Sequence, residues 1–128
     1  MTSLDDIRRI AARLPGAVEG GPERFGFSVL VKGKAKGFIW SWAERVHPKK
    51  ARVPNNGVLA VRVRTLLEKD IILGSRHPAY FTEPHYDGYP AVLIRLDSIE
   101  PDEIAPLIEE AWRTLAPPAL VREFDARS

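Results

Sequence analysis

Three runs in the first half of the chain, "RFGFSVLV" (24–31), "GFIWSWA" (37–43) and "GVLAVRVR" (57–64), alternate side chains with a period of two. The alternation sets Phe25, Phe27, Val29 and Val31 on one side of the first run. It sets Phe38, Trp40 and Trp42 against Ile39, Ser41 and Ala43 in the second, and Leu59, Val61 and Val63 against Arg62 and Arg64 in the third. Successive strands with one apolar and one polar set predict an antiparallel sheet with one face on a core and one in water. "KGKAK" (32–36) joins the first two strands, and "NNG" (55–57) ends a longer loop before the third, where Asn and Gly tolerate positive φ.

Helices are expected around these strands. In residues 3–13, Leu4, Ile7, Ile10, Ala11 and Leu14 recur at helical spacing behind a Ser3 cap, and Pro15 stops the helix. "TLLEKDIILG" (65–74) carries a Thr65/Glu68 capping box, with Gly74 as a left-handed stop. Two more strands, 79–83 and 90–97, flank "PHYDGY". The stripe Ile104, Leu107, Ile108, Ala111, Trp112, Leu115 then marks a long helix within 101–115. Pro106 argues for a start near Glu103 or an irregular first turn, and "ALVREF" adds one more helical turn. The expected fold class is α+β, an antiparallel sheet with helices packed on one face, formed by a single domain over 1–128.

Composition excludes several function classes. Without cysteine there is no disulfide, thiolate metal site or cysteine nucleophile, which fits a reducing cytoplasm. No apolar window is long enough to span a membrane, and the charged N-terminus lacks the apolar stretch of a secretory signal, so a cytoplasmic protein is expected. No phosphate-binding glycine loop or G-x-S-x-G elbow occurs. "RHPAYFTEPHYDG" brings His77, Glu83, His85 and Asp87 within eleven positions. Imidazoles and carboxylates at that distance suit metal binding or acid–base chemistry, but the spacing matches no metal signature, and backbone-bonded histidines in a turn are the simpler reading. No cofactor or metal is expected.

Charge is unevenly spread. Residues 32–64 hold nine Lys/Arg (Lys32, Lys34, Lys36, Arg45, Lys49, Lys50, Arg52, Arg62, Arg64) against Glu44 alone, while residues 97–110 hold six acids and no base. Such asymmetry suits an anionic partner for the basic half. Trp40 and Trp42 either pack helix against sheet or form an open surface for stacking bases or docking a peptide.

"LPGAVE" (14–19), "TEPHYDGYPAVLIRLDSI" (82–99) and "DEIAPLIEEAWRTLAPPALV" (102–121) resemble the MmcQ/YjbR family over nearly the full chain. The resemblance implies an α-β3-α-β2-α fold, related to type III secretion chaperones and more distantly to frataxin-like domains. That family is commonly labelled DNA-binding through a double wing, and it has no established catalytic residues. Tyr89-Pro90 stands where its better-known branch carries His-Trp. The leading expectation is a non-catalytic DNA binder without sequence preference, its footprint being Lys32, Lys34 and Lys36 on the hairpin, Lys49, Lys50 and Arg52 on the longer loop, and Arg62 and Arg64 on the third strand. A protein-interaction module binding a peptide or a second subunit is the alternative; an enzyme built on His77/His85/Asp87 comes last.

Overall fold

The computed structural model describes residues 1–44 and 49–127; Arg45 of the basic run lies outside them. The alternating runs become strands of one six-stranded sheet: β1 (Val18–Glu19), β2 (Gly26–Val31), β3 (Lys34–Glu44), β4 (Val53–Arg62), β5 (Tyr80–Phe81) and β6 (Ala91–Arg95). The spatial order is β1-β2-β3-β4-β6-β5, and every neighbouring pair is antiparallel. Helices α1 (Leu4–Ala12), α2 (Leu66–Gly74), α3 (Pro101–Leu115) and α4 (Pro118–Ala126) complete the expected α+β architecture. All four send apolar side chains into the cluster on one side of the sheet, with Ile7, Phe38, Ile39, Leu59, Ile104, Ile108 and Trp112 fully buried there. At about 1.5–3 kcal/mol per buried large apolar side chain, this layer dominates the stability.

Local chemistry sets the helix ends. Ser3 accepts from the Asp6 amide and Asp6 accepts from the Ser3 amide, a reciprocal cap on α1. α3 begins at Pro101 rather than near Glu103, because proline suits a first turn and Glu103 reaches back to the Glu100 amide. Pro106 stays within α3 on its exposed side, where the carbonyl it cannot bond faces water. In α2 only half of the expected box forms: Thr65 accepts from the Glu68 amide, but the Glu68 carboxylate takes the Arg64 amide. Gly74 is helical, and the left-handed residue is Arg76, at φ 62°.

Two expectations about the strands are corrected. "NNG" is no turn: β4 starts at Val53, and Asn55, Asn56 and Gly57 have no positive φ. Residues 56–58 are instead surplus to the β3–β4 register, which passes from Ser41↔Leu59 to Trp42↔Asn55. Phe38 does not share a face with Trp40 and Trp42. β2 pairs Phe27 with Ile39 and Ser28 with Gly37, so Phe38 is an extra residue in a β-bulge. Both Phe38 and Ile39 therefore point into the helix-side core, and alternation resumes with Trp40 and Trp42 on the other face.

That other face is not simply wet. Val58, Ala60, Ala91 and Leu93 form a second apolar cluster with the half-buried Trp40, Trp42 and Phe81. The segment 82–90, expected as the end of one strand, the connection 84–89 and the start of the next, folds across it through the 3₁₀ turn Pro84–Tyr86 and buries Tyr86. Lys69 of α2 holds this segment in place. It is 5% exposed, and its Nζ donates to the carbonyls of Tyr86 (2.5 Å) and Tyr89 (2.9 Å). Burial pushes the Lys69 ammonium below its ordinary pKa of 10.5.

Candidate anion-binding cleft on the outer sheet face

The expected cationic footprint is split by the topology. Lys32 and Gly33, both with positive φ, make the tight two-residue turn between β2 and β3. Lys49, Lys50 and Arg52 belong to the connection at the other end of β3. Eleven extended residues separate the two, about 33 Å of strand. Faces divide them again. Lys34 pairs with Val31 and Lys36 with Val29, placing both lysines on the helix side of the sheet, beyond the helices. Arg62 pairs with Ala91 and lies on the outer face. Arg64 sits at the entrance to α2, where its amide donates to Glu68.

The histidines separate as well. The His77 ring stacks on Tyr80 with centroids 4.7 Å apart. Its Nδ1 accepts from the Ala79 amide, so Nε2 carries the proton and donates to Glu103 at 3.1 Å. The Glu100 amide and then His77 hold the Glu103 carboxyl below its usual range. His85 lies instead on the 3₁₀ turn, in a ring contact with Tyr86. Among the described residues, no group of three His, Asp or Glu side chains is placed to hold a metal ion.

What the fold does bring together is a cleft of about 400 Å³ on the outer face, lined by Arg24, Trp40, Ala43, Arg52, His85, Tyr86 and Tyr89. Two arginines hang from one strand: Arg24 Nε donates to the Ser41 carbonyl (2.8 Å) and Arg52 Nη1 to the Ala43 carbonyl (2.9 Å). Those carbonyls are two residues apart, about 7 Å along β3. Each guanidinium keeps donors beyond that bond, and neither forms an ion pair among the described residues. Trp40 Nε1 donates to the Tyr86 hydroxyl (3.1 Å), which fixes the indole and leaves its ring as the surface it offers. Arg62 borders the same rings. Its guanidinium carbon lies 6.0 Å from the Trp40 centroid and 5.8 Å from that of Tyr89, while Nη2 donates to the Tyr89 hydroxyl. Two buried polar atoms, Trp42 Nε1 on this face and Glu83 Oε1 on the covering segment, have no hydrogen-bond partner among the described residues.

Arg52 and Arg62 belong to the footprint expected from sequence; Arg24, His85 as a cleft residue, and the tyrosine wall do not. Arg24 sits alone in "GPERF", and nothing in that run announces the Ser41 carbonyl seventeen positions on that it bonds. A separate apolar groove of about 210 Å³ runs between α2, β4 and α3, and beside it Leu67 and Ile71 are 69% and 64% exposed.

No family model matches the chain. The crystal structure of the Deinococcus radiodurans protein DR2400, a DUF419 domain, superimposes with a TM-score of 0.67 over 98% of this chain and 89% of that one, at 19% identity, a likeness of fold. In sequence, the uncharacterized proteins Rv2570 of Mycobacterium tuberculosis and Mb2600 of Mycobacterium bovis are each 34% identical over 128 residues, covering 100% of this chain and 99% of theirs. With that identity sustained from end to end, the chain belongs to the protein family of mycobacterial Rv2570 and Mb2600.

Proposed function

We propose that this is an MmcQ/YjbR-type domain acting as a non-catalytic nucleic-acid binder, and that the outer sheet face does the binding. The observation that carries the reading is the cleft: Arg24 and Arg52 keep guanidinium donors beside the half-buried Trp40 and the exposed Tyr89. Phosphates need cations that are not already neutralised, and bases need ring faces. The double-wing arrangement expected from sequence receives less support, because the two lysine-bearing turns stand at opposite ends of β3. Fluorescence anisotropy of labelled single-stranded and duplex DNA over a salt series tests the reading. Binding should weaken with salt by a log–log slope of about −0.7 per phosphate contact on a single strand. It should fall in Arg24→Gln and Arg52→Gln and persist in Lys34→Glu. Absence of binding to either DNA at low salt ends the proposal.

A protein-interaction reading has an observation of its own, the exposed Leu67 and Ile71 beside the α2 groove. Trp42 does not serve it, being half-buried against Phe81, and Trp40 lies away from this groove in the outer-face cleft. Light scattering that reports a dimer abolished by Leu67→Glu would favour this reading.

A further inference from the structure

We infer that the outer-face cleft takes one unpaired nucleotide at a time, a planar heterocycle with its phosphate, and not a stretch of duplex. The inference rests on the nucleic-acid reading above and names the unit that the site recognises. Its first support is size. A cleft of about 400 Å³ lies at the small end of small-molecule sites, about 300–1,000 Å³, and has room for a single nucleotide. The second is the kind of surface. Trp40 spends its N–H on Tyr86 and offers its ring, and His85 and Tyr89 are exposed. A base that is paired and stacked in a duplex has no free face to lay on such rings; an unpaired one has two.

The third support is the pair of arginines. Each spends one donor on a carbonyl of β3, which fixes the head group in place. The two carbonyls stand about 7 Å apart along β3, and the donors left on each guanidinium form a fork suited to phosphate oxygens, a geometry that lysine does not reproduce. Lys69 braces the wall that carries Tyr86 and Tyr89 from behind by holding both their carbonyls. The same chemistry would accept a free mononucleotide or one residue of a single strand.

Titration of the protein by calorimetry distinguishes these sources, using thymidine 5′-monophosphate, thymidine, inorganic phosphate, a short oligothymidylate, and that oligomer annealed to its complement. The monophosphate should compete with the oligothymidylate. Thymidine and phosphate alone should each bind at least about tenfold more weakly, as should the monophosphate to Arg24→Gln or Arg52→Gln, the loss of one charge-assisted bond. Arg52→Lys, which keeps the charge and loses the fork, should not restore binding. Oligothymidylate binding that ignores all three arginine variants, with no binding of the monophosphate, overturns this inference and leaves nucleic-acid binding standing elsewhere on the surface. Duplex bound as tightly as the single strand, with the same arginine dependence, overturns the requirement for an unpaired base. Monophosphate binding without binding of any strand leaves the cleft as a free-nucleotide site and overturns the nucleic-acid reading instead.

Discussion

Arginines on the two sides of the sheet are used in opposite ways. On the helix side, Arg8 pairs with Asp5 and Glu19, Arg9 with Asp6, Arg113 with Glu109 and Asp125, and Arg127 with Glu123. On the outer face, Arg24, Arg52 and Arg62 bond main-chain carbonyls, and Arg62 also a tyrosine hydroxyl. A carboxylate cancels a cation's field, whereas a carbonyl orients the cation and leaves its charge in place. A net charge of only +2 therefore says little about this molecule, because many acids are spent on arginines of the helix layer while Arg24, Arg52 and Arg62 form no ion pair among the described residues.

The sharpest test of the division compares two tryptophans. Trp112 is fully buried among the helices and donates Nε1 to the Pro15 carbonyl (3.0 Å). Its replacement by alanine should cost about 3–5 kcal/mol in urea denaturation. Trp40→Ala, on the half-buried outer cluster, should cost roughly 1–2 kcal/mol, its main effect being on ligand binding. Equal losses would break the contrast between a stabilising face and a binding face.

Next in size is the double variant Arg24→Gln/Arg52→Gln. It should lower affinity for single-stranded DNA about a hundredfold while moving stability by about 1–3 kcal/mol, since each residue supplies one bond to the fold.

Lys69→Met links the two sides, because it leaves the carbonyls of Tyr86 and Tyr89 without their donor. The expected loss is about 1–3 kcal/mol, with weaker ligand binding as the cleft wall loosens. Its pH dependence has a definite sign. The unfolded lysine holds its proton up to about pH 10.5 and the buried one releases it earlier, so within that window the unfolded chain binds more protons. The stability difference between wild type and Lys69→Met should therefore grow as pH rises towards 10.5. A difference that shrinks would mean that the buried ammonium gains more from the carbonyls than burial takes away.

Smallest is the helix-side effect of Glu103→Gln. Glu103 has its pKa lowered from 4.5 in the fold, so it contributes stability above that pH, and the contribution is lost as pH falls through the lowered value. The variant should flatten the acid limb of the stability curve and leave DNA affinity at pH 7 unchanged.

Elements whose signal is local were legible in the sequence. The Ser3 cap, the α3 stripe ending in Trp112 and the alternation of β2 all appear where periodicity places them. β1 escaped because two residues, Val18 and Glu19, have no period to read. α4 extends to nine residues through packing of Leu120, Val121 and Phe124 on the core, which a single-turn reading of "ALVREF" underestimates. The site was less legible, since lysine-rich turns attract attention while what matters is where each strand ends. Lys34 and Lys50 are close in sequence and stand at opposite ends of β3, whereas Arg24 and His85, sixty-one positions apart, line one cleft. Nothing in "LLEKDIIL" announces that two carbonyls wait for Lys69.

The surplus residue at Phe38 has a consequence for the whole lineage. Deleting Phe38 would restore uninterrupted pleating with Gly37 still opposite Ser28 and Ile39 opposite Phe27, so both indoles would keep the outer face while the helix-side core lost a fully buried ring. Chain length at this point thus governs how full the core is, and a descendant lacking the extra residue should keep its aromatic floor at the cost of stability.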